Sequence, residues 1–210
     1  LLEDHIPEIE LTTRLSYDVS NVITLEGWNK ELPADAYYLA DENFFEMFPT
    51  RFIYGSEDVL NTPSNAIVTE SLAMEFGVED IIGKTLLFEG EHKLIIAAVI
   101  EDFDDTIFQN EQVIINIGHE SQHRWKGGQN SNIHVTSSGV LALVKAKKGA
   151  DEMVILDKMD RIYENGISEK HREDSYLSLT RLDKAYTSDN NEGEYDGLKK
   201  GNAGLMTAFS

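Results

Sequence analysis

His119-Glu120-Ser121-Gln122-His123 spells H-E-x-x-H. On a helix, two imidazoles at i and i+4 share a face and bind Zn²⁺, and the Glu between them polarises a metal-bound water as general base. That is the chemistry of a zinc-dependent hydrolase. The surrounding residues do not support it. Gly118 precedes the string and Gly127-Gly128 follow soon after, which leaves about two turns of helix at most. Ser121, Gln122 and Arg124 are polar, so such a helix has no apolar back to bury. Lys126 and Gln129 stand where the longer metzincin motif needs Gly and His. The first Glu downstream is Glu152, beyond two strand-like stretches, and His134 lies in one of those stretches. The segment reads as a Gly-, Asn- and Ser-rich exposed loop on which any metal at His119 and His123 is adventitious.

Other groupings are weaker still. Glu101, Asp102, Asp104 and Asp105 crowd the end of a strand. Paired carboxylates serve glycosidases, but neighbours along one strand end read as a solvated rim. Ser71 lacks the glycines of a nucleophile elbow. Gly83-Lys84-Thr85 resembles the tail of a phosphate-binding loop, yet Val78 stands where that loop needs its first Gly. Trp28 and Trp125 are single aromatics that need no ligand to explain them. The sequence therefore assigns no catalytic, cofactor-binding or metal residue, and the expected function is non-enzymatic.

Composition narrows the class further. The 210 residues carry 18 Lys and Arg against 38 Asp and Glu, a net charge of −20. Such a field repels phosphate backbones and anionic lipid, which argues against a nucleic-acid partner. There is no cysteine, hence no disulfide framework and no thiol chemistry. No run approaches the roughly eighteen apolar residues of a membrane span, and Leu1 opens no signal peptide.

Those residues need elements to carry them. Residues 64–102 read as one strand–helix–turn–hairpin unit. Ala66-Ile67-Val68 is a short strand, and Thr69 or Ser71 is placed to cap a helix whose stripe is Leu72, Ala73 and Phe76. Gly77 fits a left-handed C-cap with Val78 touching back to Ala73, and Gly83 marks a turn. Thr85–Phe88 and residues 93–100 then form a hairpin across Glu89-Gly90-Glu91. Upstream, residues 8–18 alternate as a strand with residues 21–28 as the expected hairpin partner, 36–40 is a strand, and 43–48 is a helical turn capped by Asp41 or Asn43. Downstream, 112–117, 133–136, Val140–Ala146 and 175–182 read as strands. Residues 150–163 form the best helix, with Ile155, Leu156, Met159, Ile162 and Tyr163 on one stripe. Residues 187–201 read as a polar linker. Strands and helices without strict βα alternation make the fold class α+β.

The 64–102 unit also carries a resemblance. IVTESLAMEFG, then EDIIGKTL, then a strand ending VIEDF, resembles the extracytoplasmic core domain of MacB/FtsX-type ABC transporter permeases. Phe44-Phe45, Phe48, Phe52, Gly55 and Pro63 upstream are similar to that family's aromatic run. Leu177-Ser178-Leu179, Leu182-Asp183 and Tyr186, then Gly201-Asn202 with Leu205 and Phe209, resemble its closing strand and the approach to its second transmembrane helix. Ala98 and Asp104 depart from the pattern, where the family usually has Gly and often Pro. The resemblance implies a membrane-proximal subdomain from residues 1–40 plus 139–186, an inserted subdomain from 41–138, and a linker over 187–210. It implies a periplasmic domain of a permease subunit with no catalysis of its own, transmitting ATP-driven movement across the bacterial inner membrane for export, lipoprotein handling or signalling. The implied partners are its own transmembrane helices before Leu1 and after Ser210, a cytoplasmic ABC ATPase, a second permease copy and another periplasmic protein. The two chain ends are then expected on one side of the fold. The alternatives are the zinc hydrolase at 119–123 and a periplasmic binding module.

Overall fold

The computed structural model describes residues 2–16, 22–28, 31–32, 36–76, 81–88, 92–103, 108, 112–118, 140–166 and 179–182. Its strands are β1 (Ile9–Ser16), β2 (Ile23–Leu25), β3 (Glu31–Leu32), β4 (Tyr37–Ala40), β5 (Phe52–Tyr54), β6 (Asn65–Thr69), β7 (Thr85–Phe88), β8 (His92–Ile100), β9 (Val113–Asn116) and β10 (Val140–Ala146). Helices α1 (Phe44–Met47), α2 (Glu70–Phe76) and α3 (Glu152–Gly166) accompany them. The strands join one mixed sheet in the order β10-β1-β4-β9-β6-β8-β7-β2-β3, with β5 also on β8. The β4–β9 and β6–β8 pairs are parallel and the others antiparallel. This is the α+β class the sequence indicated.

Central strands buried on both faces should be apolar throughout rather than alternating. YYLA in β4 and residues 113–115 of β9 are such runs, and every residue of both strands is buried, including polar Asn116, whose Nδ2 donates to the Leu60 carbonyl. Alternate side chains still go to opposite faces. Tyr37, Leu39, Ala66, Val68, Val113 and Ile115 pack with Leu72 and Ala73 of α2 and with Ile81. Tyr38, Ala40, Ile67 and Ile114 pack on the other face with Phe44 and Phe45 of α1, Leu60, Phe103 and Phe108. The aromatic run of the sequence is thus one ring cluster: Phe44 lies 5.0 Å from Phe45 and 5.4 Å from both Phe48 and Phe108, centroid to centroid.

β8 breaks the period-two rule once. Leu94, Ile96 and Val99 face α2, whereas Ala98 and Ile100 face α1. The cause is a β-bulge: Ala66 and Ile67 are consecutive on β6 but face Ile96 and Ala98, so Ala97 is the extra residue. Gly55, just after β5, fits against this irregularity. Its φ is +79°, and a Cβ there would sit 2.7 Å from the Ala98 Cβ and 2.9 Å from the Ala97 carbonyl oxygen. Glycine is required there for both its conformation and its small size.

A third cluster lies beside β1 and β10. Ile6, Ile9 and Ile155 are its buried members, with Leu2, Val144, Met159, Ile162 and Leu179 packed against them. The predicted stripe of α3 therefore covers the end of the sheet, and α3 itself runs to Gly166 rather than 163.

Several local expectations change. Residues 21–28 are not the hairpin partner of β1. β2 pairs with β3 and β7 at the far end of the sheet, while β1 pairs with β10 and β4. The short β2 run has apolar residues to complete the α2 face, where Ile23 and Leu25 are buried, and nothing in its pattern chooses between edges. Neither Asp41 nor Asn43 caps α1 with its side chain, because both are drawn to β1. Of the strand expected over 175–182, residues 179–182 carry no strand and 175–178 lie outside the described residues. Gly77, Val78, residues 133–136 and residues 187–201 lie outside the described residues.

Candidate functional site

The residues with chemical potential are largely occupied by structural work. The Asp102 carboxylate accepts hydrogen bonds from the Ser71 backbone N (3.2 Å) and the Ser71 hydroxyl (2.8 Å). It is the cap of α2, supplied from beyond the end of β8. Neither Thr69 nor Ser71 caps that helix, and the Thr69 hydroxyl is buried without a partner. An anion is the favourable group at this position, since the first amides of a helix present partial positive charge. Glu101 pairs with Arg51 Nε at 3.0 Å on the open surface. Asp104 and Asp105 lie outside the described residues.

Gly83-Lys84-Thr85 does not form an open cradle for phosphate. The Gly83 amide donates to the Ile96 carbonyl (2.8 Å) and the Lys84 amide to the Ile81 carbonyl (3.1 Å), closing a turn with Gly83 at φ +81°. A phosphate-binding loop needs those amides unspent. Trp28 follows β2 at the surface. His119, Glu120, His123, Trp125 and His134 lie outside the described residues. Among the described residues no three His, Cys, Asp or Glu side chains come together as a metal site.

What the fold does build is a polar clasp between distant parts of the chain. Lys158 Nζ on α3 reaches both oxygens of Glu8, at 2.5 and 2.6 Å. The Lys147 amide donates to the Glu8 carbonyl (2.8 Å), and Lys147 Nζ donates to the Pro7 carbonyl (2.7 Å). Lys145 pairs with Glu10 at 2.6 Å across the β1–β10 ladder. The Lys158 hydrogen bond holds the Glu8 carboxyl below the usual carboxylate range, and the Glu10 hydrogen bond raises the Lys145 ammonium. Beneath the clasp, Leu2 and Leu179, near the two extremes of the described chain, pack against the same apolar cluster. Sequence reading missed the clasp. Its charges are ordinary ones, and only the antiparallel pairing of β1 with β10 brings them together.

No family model matches the sequence, and no curated protein does. Solved structures do match in fold. A domain of a protein described as a permease, from Porphyromonas gingivalis, superposes with a TM-score of 0.70 at 20% identity, over 100% of this chain and 83% of that one. The periplasmic region of MacB from Actinobacillus actinomycetemcomitans gives 0.56 at 14% identity, over 84% of this chain and 81% of that one. The extracellular domain of the noncanonical ABC-type transporter YknZ from Gram-positive bacteria gives 0.57 at 11%, over 80% and 82%. The fold is that of extracytoplasmic domains of ABC transporter permeases.

Proposed function

We propose that the chain is the periplasmic domain of a bacterial ABC transporter permease subunit of the MacB/FtsX type. The observation that carries this reading is the whole-chain likeness to the permease domain, at a TM-score of 0.70. The packing of Leu2 and Leu179 against one apolar cluster supports it, because a domain held on membrane helices at both ends must return its chain to near where it entered. On this reading the domain has no catalysis of its own. Its transmembrane helices couple it to a cytoplasmic ATPase, it works beside a second permease copy, and it passes ATP-driven movement to the periplasmic side. Its parts are residues 1–40 plus 139–186 near the membrane and 41–138 as the insert. β2 and β3 belong by number to the first part, and β2 pairs with β7 of the second, so the sheet runs through that division.

The test uses the full-length protein in membranes with its ATPase. These 210 residues have no cysteine, so, with any cysteine elsewhere in the full-length protein replaced, Glu57→Cys gives one spin label per copy, on an exposed residue. The distance between the two labels should change when ATP is bound and vanadate-trapped. A hydrolysing transporter whose label distance stays fixed would refute transmission. Stoichiometric zinc in the purified domain, lost with His119→Ala, would replace this reading with the hydrolase.

A further inference from the structure

Between β1 and β4, side chains take over from the backbone ladder. Among the described residues that ladder places Leu15 opposite Ala40 and Ser16 opposite Leu39. One step on, the Asp41 amide donates to the Arg14 carbonyl (3.2 Å), but the Arg14 amide donates to the Asp41 carboxylate (2.8 Å). The Asp41 carbonyl has turned away to receive the Phe44 amide at the start of α1. The same carboxylate takes Arg14 Nε at 2.9 Å and Nη2 at 2.7 Å, a two-pronged fork. Beyond it, Asn43 Nδ2 donates to the Thr12 carbonyl at 2.7 Å. From Thr12 to Arg14, β1 is thus stitched by two side chains that α1's approach supplies.

Two further features mark this seam. Thr13 Oγ1 and Asn43 Oδ1 are buried without partners, a state that costs free energy and that entering water would relieve. Among the described residues the rest of the contact across the seam is mainly apolar, with a charge attraction between Glu46 of α1 and Lys145 of β10 beside it. Leu15, Leu141 and Leu143 meet Tyr38, Phe44 and Phe108 in one cluster, and apolar contact is non-directional, so it tolerates a change of angle. Each side is firmer than the seam. β1 is tied to β10 along its length and through the clasp to α3, and β4 is tied to β9 by a parallel ladder.

We propose that the β1–β4 seam is a hinge between the β10–β1–α3 part and the rest of the sheet, latched by the Arg14–Asp41 pair. The guanidinium is half-exposed at 54% while the carboxylate is 14% exposed, so salt and solvent reach the latch from one side. The proposal rests on the fold alone and holds whether or not the chain transmits movement for a transporter.

The experiment uses the 210-residue chain by itself. Cysteines replacing Met153 on α3 and Glu57 in the other part, both exposed, carry spin labels for pulsed dipolar distance measurement. The parent should give one narrow distance, and Arg14→Ala should add a second population while thermal unfolding stays cooperative. Arg14→Lys, which keeps the charge but loses the fork, should fall between. Arg51→Ala, which removes an exposed pair lying wholly within one part, should change nothing. If Arg14→Ala does not fold, Asp41→Asn takes its place. An unchanged narrow distance overturns the hinge, and so does loss of cooperative folding in both variants, because the pair would then belong to the core.

Discussion

Replacing Gly55 with Ala tests the packing of β5 on the β8 bulge. At φ +79° an alanine sits in the left-handed region, which costs about 1–2 kcal/mol. Its Cβ would lie 2.7 Å from the Ala98 Cβ and 2.9 Å from the Ala97 carbonyl oxygen. Neither neighbour is the free end of a flexible side chain, so the backbone must shift, for about another 1–3 kcal/mol. Lower entropy of the unfolded chain returns about 0.4–1 kcal/mol. The expected net loss is about 1–5 kcal/mol. Urea unfolding with a slope near 2 kcal/mol per molar should show it as a midpoint lowered by about 0.5–2.5 M. Gly149→Ala is the control, with φ +83° and nothing within 4 Å; it meets the conformational cost and no clash. Adding Ala98→Gly to Gly55→Ala removes the closer contact and leaves the carbonyl one, so part of the loss should return. The reasoning fails if Gly55→Ala and Gly149→Ala prove equally stable, since the space at the bulge would then count for nothing.

Three more outcomes are expected. Asp102→Ala removes the cap of α2 and should cost about 1 kcal/mol in chemical denaturation, with amide exchange at Ser71 rising; protection unchanged at Ser71 would show another group serving as cap. Phe44→Ala empties the centre of the ring cluster, where Phe44 is fully buried, and should cost about 3–5 kcal/mol. For the clasp, the folded Glu8 carboxyl titrates below its ordinary 4.5. Its stabilisation is therefore present above that pH and is lost as pH falls toward the lower folded value. The stability gap between the parent and Lys158→Ala should narrow as pH drops below 4.5, and a gap constant from pH 7 to pH 3 would exclude ionic pairing as its source.

Much of the scaffold was legible because its signals are local. The runs at β4, β6, β8, β9 and β10 and the stripe of α3 each announce themselves within a few residues, and the resemblance carried by residues 64–102 indicated the fold. What could not be read was partnership. β2 is three residues long, and its apolar pattern fits any edge of the sheet that lacks a cover. The Ala97 bulge changes which face a side chain meets without changing the residue types. Asp102 looked like part of a solvated rim because its donor, Ser71, is brought close only when β6 and β8 lie parallel. Asp41 and Asn43 looked like helix caps because their types suit that role, yet β1 offered them backbone groups with fewer alternatives. Of the groups singled out for chemistry, Glu101, Asp102, Ser71 and Gly83 are engaged in contacts within the fold.

The direction of β1 against β10 has a mechanical consequence. In this antiparallel pair Ile9, where the first strand begins, lies opposite Ala146, where the last one ends. Tension applied between those two points would not share its load over the whole ladder. It would open the rungs in succession from that end, as a zipper opens, because the hydrogen bonds run perpendicular to the strands. Lys147 and Glu8 stand at the fork where the peeling would start, bonded to each other through backbone, with Lys158 gripping Glu8 from α3. The first rung to be loaded is thus the reinforced one. A body built this way yields under separation of those two points once that rivet goes.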